Sequence, residues 1–87
     1  MPAIEIYTTR TCPFCIRAKS LLKEKGADFT EIDVGSDPSK RAAMTQRANG
    51  KRTVPQIFVG STHVGGCDDL YALDHAGKLD ALLKGAA

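Results

Sequence analysis

Residues 3–25 read AIEIYTTRTCPFCIRAKSLLKEK: an alternating apolar run, two cysteines three positions apart, and a helical pattern. The alternation predicts a short β-strand. Pro13 suits the first turn of a helix, because an N–H there would lack an acceptor within the helix. Cys12 therefore lies at the start of the predicted helix, where the helix dipole favours a thiolate, and Cys15 lies one turn further on. This spacing favours thiol–disulfide chemistry between the two residues.

The remaining chain continues the alternation of strands and helices. An extended run covers 29–34, a charged helix 39–49 and a hairpin 53–64, and a final helical region opens at Cys67 and is interrupted at Gly77. The order β-α-β-α-β-β-α predicts an α/β fold with parallel strands at the start and an antiparallel hairpin. We expect a four-stranded mixed sheet with helices on both faces, in a single domain over residues 1–87. Cys12 then follows the carboxyl end of a strand, where open α/β sheets form their sites.

Composition narrows the class of protein. The 87 residues are 43% hydrophobic and 25% charged, with a net charge of +2, and no apolar run is long enough for a membrane span or a signal peptide. Three cysteines do not make a closed disulfide framework. We therefore expect a cytoplasmic protein without membrane association, in which a close cysteine pair is more often catalytic or metal-binding than structural.

Basic residues are concentrated in two segments. Ten of the twelve lysines and arginines lie in residues 10–25 and 40–52. The segments could be solvated helix faces, or a positive rim around a site for a small anionic substrate. Nucleic-acid binding is disfavoured, because Phe14 is the single aromatic residue within them.

The cysteine pair allows two interpretations. Between a strand and a helix it is typical of a thioredoxin-like redox motif. It could also be half of a zinc site, completed by His63, Cys67 or His75. Structural zinc sites usually have a second closely spaced pair of ligands, which this sequence lacks, so we expect no metal.

Two further motifs could present backbone N–H and C=O groups to a ligand. Thr53-Val54-Pro55 could simply open an edge strand, or could contain a cis Val54–Pro55 bond that presents the Val54 backbone to an extended peptide. Residues 65–69 read GGCDD. One interpretation is that they do no more than cap a helix. The other is that their N–H groups bind a carboxylate while Asp68 pairs with an ammonium group.

Taken together, Cys12-Pro13-Phe14-Cys15, Thr53-Val54-Pro55 and the motif at 65–69 resemble the glutaredoxin family, in particular its small bacterial glutaredoxin 3 type. The resemblance covers nearly the whole chain. It implies a thioredoxin-like fold and an oxidoreductase that reduces protein–glutathione mixed disulfides and small or protein disulfides. Glutathione would be the co-substrate, with no tightly bound cofactor, and the protein would act as a monomer.

The resemblance also implies roles for individual residues. Cys12 would be the nucleophile and Cys15 the resolving thiol. The residues expected to bind glutathione are Phe14, Thr53, Val54, Pro55, Cys67 and Asp68. The Val54 backbone would pair with the tripeptide, and the Cys67 and Asp68 N–H groups would hold its γ-glutamyl carboxylate.

The chain departs from the family pattern at two positions. Phe14 stands where the family commonly has tyrosine, so the ring is kept and the hydroxyl is lost. Thr9 stands where a lysine is frequent, and the following Arg10 could supply that charge. Two other functions stay open: an iron–sulfur scaffold held by Cys12 and glutathione in a dimer, and a thioredoxin-like hydrogen donor.

Overall fold

Eight elements follow one another in the computed structural model, which describes residues 2–85. They are β1 (Ile4–Thr8), α1 (Pro13–Glu24), β2 (Thr30–Asp33), α2 (Pro38–Arg47), β3 (Gln56–Val59), β4 (Thr62–Gly65), α3 (Cys67–His75) and α4 (Leu79–Leu83). The predicted element order is confirmed, including the interruption of the last helical region near Gly77. None of the described helices has the length and apolar character needed to cross a membrane.

The four strands form one mixed sheet in the order β2-β1-β3-β4. β1 pairs in parallel with β2 and antiparallel with β3, and β3 pairs antiparallel with β4. The predicted sheet is confirmed. β1 is an inner strand with β2 and β3 on either side, and Cys12, the N-cap residue of α1, follows its carboxyl end.

Two apolar clusters cover the two faces of the sheet. On one face α1, α3 and α4 pack on β1 and β3, and on the other α2 packs on the same two strands. Helices on both faces are therefore confirmed. The alternation in β1 predicts Tyr7 on the side opposite Ile4 and Ile6, which is confirmed: Tyr7 is 8% exposed and packs edge-on against Phe58 under α2. A central strand buries both faces, so alternation does not show which residues meet water.

The buried face of α1 differs from the predicted one. The helical spacing of Phe14, Ala18, Leu21 and Leu22 predicts one apolar face, but Phe14 is 52% exposed and Cys15 takes its place at 1% exposure. Cys15, Ala18 and Leu22 are spaced three and four residues apart, so they share a face that turns Phe14 outward. In α2 the sequence predicts a thin apolar side made of Ala42, Ala43, Met44 and Ala48. Met44 and Ala48 are buried, whereas Ala42 and Ala43 are exposed.

Local signals set where the helices begin. Asp37 before Pro38 predicts an N-cap, and its carboxylate accepts hydrogen bonds from the backbone N–H groups of Ser39 and Lys40, both at 3.1 Å, so it caps α2. At α1 the capping group is the Cys12 sulfur itself. The first cysteine of the pair is thus also the N-cap residue of the helix.

Candidate active site

Cys12 lies in the turn between β1 and α1 with an extended backbone, at φ −93° and ψ 109°. Its Sγ accepts a hydrogen bond from the backbone N–H of Cys15 at 3.1 Å. Its S–H group points to the Val54 carbonyl oxygen, 3.7 Å from the sulfur. The side chain is partly exposed. The sulfur therefore has both solvent access and a backbone donor that stabilises negative charge on it.

Cys15, in contrast to Cys12, is buried. Its side chain is 1% exposed. Burial and then the hydrogen bond to Cys12 raise the pKa of the Cys15 thiol from 9.0 to about 12. Cys15 is therefore protonated at neutral pH and shielded from solvent. Of the two predicted catalytic residues, only Cys12 is placed to meet a disulfide from outside.

The three sequence motifs converge on one groove of about 200 Å³. The groove is lined by Phe14, Lys51, Thr53, Val54, Pro55, Gln56, Gly66, Cys67, Asp68 and Asp69. All six residues expected to bind glutathione are among them. Cys12 meets this groove through the Val54 carbonyl. The structure thus brings together segments that lie some fifty residues apart in the sequence.

The segment 53–55 forms one wall of the groove. The Val54–Pro55 peptide bond is cis, so this prediction is confirmed. Gln56 supports this wall, since its amide nitrogen donates to the Thr53 carbonyl oxygen at 3.0 Å. Sequence analysis missed Gln56 as a site residue. A polar residue between Pro55 and the apolar run of β3 is the signal that could have found it.

The N-terminus of α3 forms the opposite wall. Gly66 is its N-cap residue and makes no side-chain capping bond, so no cap side chain accepts from the first N–H groups of the helix. The Asp69 carboxylate instead accepts from the Gly66 N–H at 2.9 Å, while Asp68 is exposed. Gly65 has φ +113°, and a Cβ there would collide with the Asp69 carboxylate. Asp69 thus holds the glycine turn, whereas Asp68 remains available to a ligand.

Positive charge reaches the groove through Lys51. Sequence analysis included Lys51 in a basic segment without giving it a role. Arg10, the residue considered for this charge, borders a separate hollow together with Asp33 and Arg41. The predicted positive rim is therefore only partly directed at the groove.

Cys67 is the third thiol and is 4% exposed. Burial raises the pKa of its thiol, and the charge of Arg17 opposes this in part. A protonated, buried thiol is a poor nucleophile. Cys67 therefore contributes to the groove through its backbone and its volume.

A larger cavity lies elsewhere. It measures about 720 Å³, lies between β4 and the last two helices, and is lined mainly by alanine, valine and leucine side chains. It contains no cysteine, so the smaller groove is the candidate active site. Among residues 2–85, no three His, Cys, Asp or Glu side chains come together as metal ligands would.

Comparison with known proteins points to one family. A family model described as Glutaredoxin matches residues 4–64. Glutaredoxin 3 of Escherichia coli K12 is 55% identical over 84 residues, covering 97% of this chain and 100% of that protein. The solution structure of glutaredoxin from Brucella melitensis has a TM-score of 0.88 at 57% identity, covering 100% of this chain and 94% of that one. A buckwheat glutaredoxin–glutathione complex also has a TM-score of 0.88, at 33% identity, covering 98% of this chain and 79% of that one.

Proposed function

Since this chain belongs to the glutaredoxin family and is a thiol–disulfide oxidoreductase, we propose that it uses glutathione to reduce protein–glutathione mixed disulfides as well as small and protein disulfides. The observation that carries the proposal is the asymmetry of the cysteine pair beside a peptide-sized groove. Cys12 is partly exposed and its sulfur accepts a backbone hydrogen bond, whereas Cys15 is buried with a pKa of about 12. The glutathione complex of the buckwheat relative supports the choice of co-substrate.

The groove has polar groups suited to each part of glutathione. The Val54 carbonyl lies next to the reacting sulfur, where the backbone of an extended tripeptide could pair with it. The first N–H groups of α3 are suited to the γ-glutamyl carboxylate, and Asp68 to the amine beside it. Lys51 supplies a charge for the carboxylate of the glycine residue. Phe14, with its exposed ring, would cover the middle of the ligand.

Reduction of a mixed disulfide then takes two exchanges. The Cys12 thiolate attacks the glutathione sulfur, the S–S bond of the mixed disulfide breaks, and the protein leaves as a thiolate that takes up a proton. The thiolate of a second glutathione attacks the bound glutathione sulfur. Oxidised glutathione forms and Cys12 is released as thiolate, so each turnover consumes one free glutathione and converts the mixed disulfide into a protein thiol and oxidised glutathione.

Protein disulfides require Cys15. Attack by Cys12 leaves a mixed disulfide between Cys12 and the substrate protein. Cys15 then gives up its proton and attacks the Cys12 sulfur, which forms the Cys12–Cys15 disulfide and releases the substrate as a dithiol. Two glutathione molecules then reduce that disulfide and leave as oxidised glutathione. Because Cys15 must first lose a strongly held proton, glutathione can compete with this step for the intermediate.

We further propose that residues 1–87 act as one domain and as a monomer in the cytoplasm. Both core clusters pack on the same sheet, which favours one folding unit. All groups used by the mechanism come from one chain. Glutaredoxin-type couples near −200 to −230 mV lie close to the cytosolic glutathione poise, so the cytoplasm provides the reductant.

Mass spectrometry of Cys15→Ser after exposure to oxidised glutathione tests the function. We expect one glutathione adduct, located on Cys12, and continued reduction of glutathionylated substrates. Cys12→Ser should form no adduct there and lose all turnover, and Cys15→Ser should lose the reduction of protein disulfides. Turnover by Cys12→Ser, or an adduct located on Cys67, would contradict the proposed mechanism.

A further inference from the structure

A series of hydrogen bonds links the edge strand β4 to the wall of the groove. His63 Nε2 lies 2.7 Å from Gln56 Oε1. Gln56 Nε2 donates to the Thr53 carbonyl oxygen at 3.0 Å and lies 3.2 Å from the Thr53 hydroxyl oxygen. Gln56 is 1% exposed, so water does not replace these partners. The position of the Gln56 amide therefore depends on both Thr53 and His63.

The direction of these bonds follows from the chemistry of the groups. The Thr53 carbonyl can only accept, so the nitrogen of the Gln56 amide must face it. The amide oxygen then faces His63. Because that oxygen can only accept, His63 Nε2 must carry a proton.

The surroundings of His63 hold its ring in place and keep it neutral. The ring stacks on Phe58 with centroids 4.7 Å apart and planes 20° from parallel. Burial lowers the pKa of His63, the charges of Lys51 and Arg47 act in the same direction, and Asp69 opposes them. A neutral imidazole has a single N–H, and the bond to Gln56 places it on Nε2.

We propose that His63 is a positioning residue that holds the Thr53–Pro55 wall of the groove for glutathione by way of Gln56. This inference rests on the proposed use of glutathione. His63 does not line the groove, so it acts through the Gln56 amide. Without the His63 donor, the buried oxygen of Gln56 has no partner, and the amide turns away from the Thr53 carbonyl to find one. The wall that carries Val54 then loses its support, whereas the bond from the Cys15 N–H to the Cys12 sulfur lies at the start of α1 and does not depend on that wall.

Two substitutions separate the hydrogen bond from the packing of the ring. His63→Phe keeps an aromatic ring on Phe58 and has no donor, whereas His63→Gln has an N–H donor and no ring. We expect His63→Phe to raise the KM for glutathione about fivefold or more while kcat stays within about twofold, and His63→Gln to restore most of the loss. An unchanged KM in a folded His63→Phe protein, or a His63→Gln protein no better than it, would overturn the proposal.

The site of the imidazole proton provides a test without substitution. A long-range ¹H–¹⁵N NMR spectrum of the unsubstituted reduced protein near neutral pH should show the His63 proton on Nε2. A proton on Nδ1 alone would overturn the proposal. Failure of the proposed function would look different, because the unsubstituted protein would then show no glutathione-dependent turnover at all.

Discussion

The backbone N–H of Cys15 donates to the sulfur of Cys12 at 3.1 Å, so the second cysteine of the pair is placed to stabilise a thiolate on the first before any disulfide forms between them. This bond uses the main chain of Cys15, while its side chain is directed into the core. Two residues of the same type, one helical turn apart, are thus given different environments. The N-terminus of α1 exposes the first thiol and the hydrophobic face of α1 buries the second.

The two environments predict selective alkylation. With limiting iodoacetamide at neutral pH, the native reduced protein should be modified at Cys12, and Cys15 should react at least about a hundredfold more slowly because its thiol is buried and protonated. Peptide mapping by mass spectrometry measures this. The same protein in denaturant, where all three cysteines should react, is the control. Comparable rates at Cys12 and Cys15 in the native protein would contradict the assignment.

The Cys15 pKa also predicts a loss of stability in alkali. A pKa raised from 9.0 to about 12 means that the unfolded chain releases this proton before the folded protein does. The stabilisation is therefore complete below about pH 9 and is lost as the pH rises toward about 12, by about 1.4 kcal/mol per pH unit.

Urea denaturation under reducing conditions, at about pH 8 and about pH 10, measures this loss. Cys15→Ala removes the titrating group and is the control, because other groups that titrate in this range are present in both proteins. The reduced unsubstituted protein should lose more stability over this interval than Cys15→Ala. Parallel losses in the two proteins would show that the thiol is not held protonated by the fold.

Asp68 and Asp69 are neighbours with different predicted roles. Asp68 is exposed in the groove, so Asp68→Asn should raise the KM for glutathione about fivefold without altering the free energy of unfolding. Asp28→Asn, at an exposed acid outside the groove, is the control for the change in net charge. Steady-state kinetics with varied glutathione measures the effect. An equal rise in both variants would indicate a general effect of charge and not a contact with the ligand.

Adding one methyl group at Gly65 is expected to have a large effect on the free energy of unfolding. The Gly65 φ of +113° is unfavourable for other residues, and a Cβ would strike the Asp69 carboxylate that caps the turn. Gly65→Ala should therefore lower the free energy of unfolding by about 3 kcal/mol or more. Gly26, at φ +67° with open space around it, is a matched control, and Gly26→Ala should cost only about 1 kcal/mol. Equal losses in urea denaturation would remove the role assigned to the Asp69 contact.

Much of the fold was predictable because its signals are local. Pro13 and Asp37 mark helix starts, Gly77 marks a break, and each acts on backbone groups within a few residues of itself. The alternation in β1 and the hairpin near Gly60 are equally local. The element order and the mixed sheet therefore followed from the sequence.

The sequence alone determined the chemistry of the site: two thiols at a helix start and two motifs with polar backbone groups. The tertiary structure decided what no local pattern contains. Cys15 is buried instead of Phe14 because the remainder of the core lies on that side of α1. Val54 meets Cys12 across 42 positions of the chain, and His63 meets Gln56 across a hairpin. Such contacts depend on where distant segments pack, since the same side chain can face a ligand, the core or solvent without any change in its neighbours along the chain.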